Sequence, residues 1–287
     1  MGAIYRKELR GFFSNMTGYI FIAFVLVVVG LFTTAANFKG GYPYFEYALS
    51  SVSFIFLLAV PILTMRVFAE EKHVRTDQLL YTLPISTTQV VMGKFFAMLT
   101  VFLIPVGVMC LYPLILVMYG ASSVITAYGA IFGFLCLGAT LIAIGMFISS
   151  LTESQVIAAV VSFGVLLITY LMSGLASLVP STASASYIAF AVAILAIALI
   201  IYLMTKNYWV AFTCAAVGEV ALTIFYFVNS GAFVGAFASM LSSLSLFDRL
   251  NNFIYGVFDL TAVVYYLSVI AVFIFFTVQS VEKRRWS

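Results

Sequence analysis

Eight continuous apolar runs, each roughly 18–25 residues long, limit what this chain can fold into more than any other feature. They lie at about 18–36, 50–67, 94–118, 126–149, 155–179, 186–205, 208–228 and 260–280. Each matches the length an α-helix needs to cross about 30 Å of hydrocarbon. Hydrophobic residues make up 64% of the chain, charged residues 8%, and the mean hydropathy is +1.19. A soluble domain carries about 25% charged residues, so a water-soluble fold is excluded. In lipid every backbone N–H and C=O must be satisfied internally, which leaves helices or closed barrels. The runs are unbroken rather than alternating, and that selects helices. Cys110, Cys136 and Cys214 all fall inside apolar runs and read as buried thiols, with no disulfide framework or metal site. His73 is the single histidine, so a site built on paired histidines is excluded.

Before the first run, Ile4, Tyr5, Leu9, Phe12, Phe13 and Met16 recur at helical spacing, with Arg6, Lys7 and Arg10 on another face. This predicts an amphipathic helix, lying in the membrane interface or packed on the protein's own side. The first run is too long for a secretory signal and follows an amphipathic leader. Basic residues then fix the orientation. Arg6, Lys7, Arg10, Arg66, Lys72, Arg75, Lys94, Lys206, Lys283, Arg284 and Arg285 fall on one side of eight spans. Only Lys39 and Arg249, of 13 basic residues, fall on the other. Both termini are therefore expected in the cytosol. The break between the sixth and seventh runs is essentially Lys206-Asn207, which suits a tight helical hairpin. The stretch 229–259 is too interrupted by serine and glycine to span and is expected to lie at the outer surface or dip partly inward.

The charged segment from Arg66 to Lys94 is the longest cytosolic connection. Seven ionisable residues stand between Arg66 and Asp77, beside an apolar stripe at Phe68, Thr76, Leu79, Leu80 and Leu83. Pro84 ends that pattern, and Ser86 with Gln89 is placed to start the next helix. A short amphipathic helix docking in a partner's groove fits this pattern; so does a solvated loop balancing its own charges.

The run LTMRVFAEEK…TDQLLYTLPISTTQVVMGKF resembles the signature linking the second and third spans of type-2 ABC exporter (ABC-2) permeases. The leader YRKELRGFF and the final stretch LSLFDRLNNFIYGVFDLTAVVYYLSVIAVFIFFTVQSVEKRRW resemble the gliding-motility-type branch of that family. The resemblance implies a six-span core, with 186–228 as an inserted helical hairpin, within one permease domain spanning 1–287. It also implies a coupling helix carried at Phe68, Glu70, Glu71, Lys72, Thr76, Leu79 and Leu80, which seats in a cleft of a cytosolic ATPase subunit. Leu79 and Leu80 would be its apolar anchors, and Glu70 and Glu71 would pair with basic groups of the ATPase. The turn containing Glu153 would make a second, smaller contact. Arg75-Thr76 stands where the family commonly has Gly-Thr, a departure that bears on the backbone of the loop.

The resemblance further implies two copies of the ATPase, a second permease and a bacterial inner-membrane location. An accessory membrane protein with a large external domain is another expected partner; nucleic acid is not. The chain itself lacks a phosphate-binding loop. Its nearest candidate, Gly93-Lys94, has Thr88 where a glycine is needed and Phe95 where a hydroxyl is needed. ATP and magnesium are thus expected in the partner, and no cofactor on this chain.

Glu219 sits near the middle of the seventh run, where a charge costs about 2.5–3.5 kcal/mol on insertion scales. It is expected to be protonated, paired at a helix interface or turned to a polar cavity. The rival function is an ion-coupled secondary transporter using it, although matched carboxylates in repeated halves are missing. Gly129, Gly133 and Gly138 in the fourth run form a small-residue stripe for close helix packing. Pro61, Pro105 and Pro113 are expected to kink spans two and three.

Overall fold

The computed structural model describes residues 1–76, 86–120 and 123–286, and every regular element in them is helical. In chain order these are α1 (Gly2–Ser14), α2 (Thr17–Thr33, prolonged by a π-helical stretch Thr34–Lys39), α3 (Phe45–Val52), α4 (Phe56–Thr64), α5 (Ala69–His73), α6 (Thr87–Met109), α7 (Leu111–Met118), α8 (Val124–Leu151), α9 (Gln155–Leu178), α10 (Ala183–Thr205), α11 (Tyr208–Val228), α12 (Ala236–Leu244), α13 (Asp248–Ile254) and α14 (Leu260–Trp286). Polar residues at the edges of the apolar runs start several of them. Ser86, Ser123, Thr182 and Asn207 each accept a hydrogen bond from a backbone N–H of the first turn. Those N–H groups have no partner inside the helix.

Among the described residues, seven helical stretches are long and apolar enough to cross a membrane: Thr17–Lys39, Phe45–His73, Thr87–Met118, Val124–Leu151, Gln155–Leu178, Tyr208–Val228 and Leu260–Arg284. The sequence predicts eight. The difference is α10, whose described apolar stretch, Ala183–Leu199, falls among the shorter helices. The chain is an all-helical, multi-pass membrane protein.

The chain divides into two compact units, Met1–Ile168 with Leu246–Ser287, and Thr169–Ser245. In the first, α8 is the centre. Within its most apolar window 78% is buried in the protein, against 22% for α2, whose exposed apolar side chains suit lipid. Small residues let neighbours reach the α8 backbone. A Cβ on Gly133 would stand 2.7 Å from the Phe253 ring, and one on Gly145 would stand 2.5 Å from the Thr64 hydroxyl. One on Gly138 would overlap the Phe102 ring and meet Phe56 at 3.0 Å. Phe56, Phe102 and Phe134 pack around this point, with ring centroids 4.4–6.2 Å apart. Gly129 differs from the expected stripe, since a Cβ there would meet nothing within 4 Å. Close packing therefore runs through Gly133, Gly138 and Gly145.

The third span is interrupted at Cys110, between α6 and α7. Pro113 has no N–H for the Met109 carbonyl, so the regular ladder cannot continue there. The Tyr128 hydroxyl donates to the Cys110 carbonyl at 3.1 Å.

In the second unit α10 and α11 form the predicted hairpin. Lys206 takes a left-handed conformation (φ 51°), and the Asn207 side chain caps α11. The helices touch along their lengths: Gly218 meets Ile194, and the Tyr187 and Thr223 hydroxyls lie 3.0 Å apart. After α11 the chain makes a 3-10 turn, Ser230–Phe233, and then α12, which is too short to cross a bilayer. Phe233 packs on Phe190, Phe225 and Tyr226. This is the broken, non-spanning segment the sequence predicts.

Two measurements follow from this architecture. Gly138→Val should lower the unfolding temperature in detergent by the equivalent of about 1–3 kcal/mol, while Gly129→Ala should leave it unchanged. Equal behaviour of the two would remove Gly138 from the packing core. A cysteine at Ser184 should be labelled by an impermeant thiol reagent from outside and one at Lys206 from inside; labelling from the same side would mean that α10 does not cross.

Candidate functional site

The charged segment singled out in the sequence leaves the membrane at the basic end of the first unit, where α4 gives way to α5. A helix that stops and restarts leaves backbone groups without partners, and here a neighbouring span supplies them. The Ser149 hydroxyl, in the last turn of α8, accepts from the N–H groups of Phe68 (3.2 Å) and Ala69 (3.3 Å). It also donates to the Met65 carbonyl at 3.2 Å. One side chain thus fixes both edges of the α4–α5 junction.

The charges of α5 point in different directions. Lys72 is buried, and its ammonium donates to the Ser150 carbonyl, one of the unpaired carbonyls at the C-terminus of α8. A cation is favoured there by the helix dipole. The same carbonyl accepts from the Ser280 hydroxyl of α14 at 3.1 Å. Glu71 meets Lys94 of α6 at 2.9 Å and Lys7 of α1 at 2.9 Å.

Lys94 is the centre of the arrangement. Its side chain is 1% exposed and touches Glu8 at 3.0 Å, Glu71 at 2.9 Å and the Val67 carbonyl at 2.8 Å. An ammonium has three donors, so all are used. The ammonium also stands 5.0 Å from the centroid of the buried Phe68 ring. Lys7 lies 3.4 Å from Glu8 as well. Two lysines and two glutamates from α1, α5 and α6 thus balance one another. Lys7 holds its proton to higher pH than an ordinary lysine: partial burial opposes this, but the bond and attraction to Glu71, with a smaller share from Glu8, outweigh it. The neighbouring Gly93 lets α1 approach, with Ile4 atoms 3.1–3.2 Å from where a Cβ would stand. Ile4 and Phe12 are buried, so α1 is packed on the chain.

Arg75 adopts φ 60°, a conformation costing an L-residue about 1–2 kcal/mol. Its N–H bonds the Lys72 carbonyl and that of Thr76 bonds the Glu71 carbonyl, the pattern of a helix closed by a left-handed residue. This accounts for the glycine common at this position in the resembled family. His73, Val74, Arg75 and Thr76 are exposed. Leu79, Leu80, Leu83 and Pro84 lie outside the described residues. The chain returns at Ser86, which caps α6 by accepting from Gln89 N–H at 3.3 Å, as the spacing predicts. The next residue, Thr87, donates to Glu282 of α14 at 2.6 Å. Glu153, in the turn after α8, is exposed and pairs with Arg284 at 2.8 Å.

Of the expected site residues, Phe68, Glu71 and Lys72 meet in one packed junction. Glu70 lines a cavity beside it, and Thr76 and Glu153 are exposed. Sequence reasoning missed Glu8, Lys7 and Ser149 as partners. Nothing in the spacing joins Glu8 to Lys94 across 86 positions. Glu219 belongs to the second unit, and one of its carboxylate oxygens is buried with no hydrogen-bond partner among the described residues. Its backbone carbonyl accepts from Thr223 at 2.7 Å.

A family model described as ABC-2 family transporter protein matches residues 3–188, more than half of the chain. It takes in α1 to α9, and with them Glu8, the α4–α5 junction, Lys94 and Ser149. No curated protein gives a significant match.

Replacing Lys94 tests the junction. Lys94→Met leaves Glu8 and Glu71 without their buried cation and should cost about 3–5 kcal/mol, read as loss of the monodisperse peak on heating in detergent. Lys7→Met, at a side chain 61% exposed, should cost less than about 1 kcal/mol. Adding Glu71→Gln to Lys94→Met should recover part of the loss, and equal effects of the two lysine changes would dismiss the cluster.

Proposed function

The chain belongs to the ABC-2 transporter family, and on that premise we propose that it is the membrane-spanning permease subunit of an ATP-driven, exporter-like transporter in a bacterial inner membrane. One observation carries the reading. The residues that precede Leu79 and Leu80 in the chain are bonded to α1, α6 and α8 by Glu71, Lys72, Lys94 and Ser149. A solvated loop that only balanced its own charges would need no such anchorage.

In this reading Leu79 and Leu80 seat in a cleft of a cytosolic ATPase, with Thr76 and Glu153 at the rim of the contact. Apolar anchors contribute most of the affinity, and exposed charge pairs little. Closure of the ATPase shifts α5. Glu71 transmits the shift to Lys94 and so to α6 and α1. Lys72 and Ser149 transmit it to α8, the most buried span. Phe68 packs under Lys94 and acts as the pivot. Two ATPases bind ATP and magnesium and drive a pair of permeases, this chain with a second copy or a related one. The gliding-motility-type segments at both ends support an accessory membrane protein with a large external domain as a further partner. The cargo is any substrate moved across, or drawn out of, the membrane.

The buried, unpartnered carboxylate oxygen of Glu219 favours one alternative, an ion-coupled carrier working without an ATPase.

Co-purification separates the two. The chain extracted gently from its native membrane should bring an ATPase with a phosphate-binding loop, whereas a chain recovered alone with lipid and nucleotide present moves the carrier reading ahead. Leu79→Asp combined with Leu80→Asp should cut ATPase recovery at least about tenfold, the scale expected for lost apolar anchors, while insertion stays normal. Undiminished recovery would overturn the docking assignment.

A further inference from the structure

Between α1, the start of α2 and the α4–α5 junction lies a cavity of about 170 Å³, lined by Lys7, Glu8, Thr17, Arg66, Glu70 and Glu71 among others. It is roomy enough for a polar group several times larger than a water molecule. Its charges do not all cancel within the protein. Glu8 and Glu71 are matched by Lys94 and Lys7. Arg66 and Glu70 remain. The Arg66 guanidinium donates from Nη1 to the Thr17 hydroxyl at 3.3 Å, its Nε is buried without a hydrogen-bond partner, and among the described residues it pairs with no carboxylate. Glu70 likewise forms no ion pair among the described residues. The two stand one turn apart, Glu70 N–H bonding the Arg66 carbonyl at 3.2 Å, yet their side chains do not bridge.

A cavity holding one free guanidinium and one free carboxylate is matched by a ligand carrying both opposite charges. A fully anionic ligand would leave the carboxylate opposed, and a cation would leave the guanidinium opposed. The position decides its source. Thr17 opens the first membrane-crossing stretch, and Arg66 lies near the end of the second. The cavity therefore sits where hydrocarbon gives way to headgroups. One wall of it is α1, an amphipathic helix. Thr17 also begins α2, whose Met16 cap offers no side-chain bond to the first-turn N–H groups. These face the same end as Arg66 and favour an anion.

We propose that this cavity binds the headgroup of a zwitterionic phospholipid of the inner leaflet, with a primary ammonium, as in phosphatidylethanolamine. The phosphate lies on Arg66 and the first turn of α2, and the ammonium on Glu70. This gives Glu70 a role apart from ATPase docking, and it does not depend on the ATPase reading. A bound lipid would join α1 to the α4–α5 junction through its headgroup, beside the Lys94 cluster that joins them directly.

The test is headgroup selectivity of the delipidated full-length chain in detergent, read by native mass spectrometry and by thermal unfolding. Phosphatidylethanolamine should bind about tenfold tighter than phosphatidylglycerol or phosphatidylcholine, the scale of one or two charge-assisted hydrogen bonds. Phosphatidylglycerol lacks the ammonium, and phosphatidylcholine cannot donate to Glu70. Arg66→Gln should weaken phosphatidylethanolamine binding about tenfold, and Glu70→Gln should erase its preference over phosphatidylglycerol. If Arg66→Gln does not fold, Glu70→Gln decides alone. Equal binding of the three lipids, or an unchanged order in Glu70→Gln, overturns the site. Equal stabilisation by soluble O-phosphoethanolamine at matched concentration overturns the lipid as its source.

Discussion

Lys94 stands at the basic end of the third span with almost no solvent, and a buried ammonium is tolerated only if its charge and all three of its donors are satisfied. That requirement draws α1 and α5 to α6, because Glu8 comes from one and Glu71 from the other. Once α1 is held, Ile4 fits over Gly93 and Tyr5 reaches Thr100. Once α5 is held, Lys72 reaches the end of α8 and the backbone of Phe68 and Ala69 reaches Ser149. Removing either carboxylate would leave the cation underpaired in a medium that penalises charge severely. The α4–α5 junction is therefore held by one buried charge and its partners as well as by apolar packing.

The apolar interior does something different. α8 carries the packing load of the first unit, and its glycines decide how close the aromatic rings of other helices come. Dispersion accumulates over many such contacts but has little direction. Hydrogen bonds and ion pairs at the basic end supply the direction. On the proposed reading, such a junction would pass a movement of α5 on to α6 and α8.

Much of this was legible in the sequence, and the reasons are physical. Span positions follow from a solvent that forbids unpaired backbone, so hydropathy marked even the two-residue turn at Lys206-Asn207. Ser86 was legible because helix capping is a local rule. The anomaly at Arg75 was legible as a departure from a family pattern, but its cause, a left-handed backbone, was visible only in three dimensions. Glu71 and Lys72 look in sequence like surface charges available to a partner, and both turn inward. Nothing local distinguishes a charge that meets solvent from one that meets a span made much later. The glycine stripe was legible as a periodicity, while Gly129, equally well spaced, faces open space. The intramembrane carboxylate of Glu219 was conspicuous at once, and it lies beyond the family match, which ends at residue 188.

The bonds of Ser149 bear on how such a chain is made. Phe68 leaves the ribosome 81 positions before the hydroxyl that its N–H requires, and Thr87 leaves it 195 positions before Glu282. Until the fourth and last spans have inserted, these ends of the connecting segment lack the partners that hold them. A half-synthesised chain therefore presents its cytosolic segment without the anchorage that gives it shape. On the proposed reading, recruitment of a soluble subunit to that segment would then report that biogenesis is complete, so the same contacts would also serve as an inspection step in assembly.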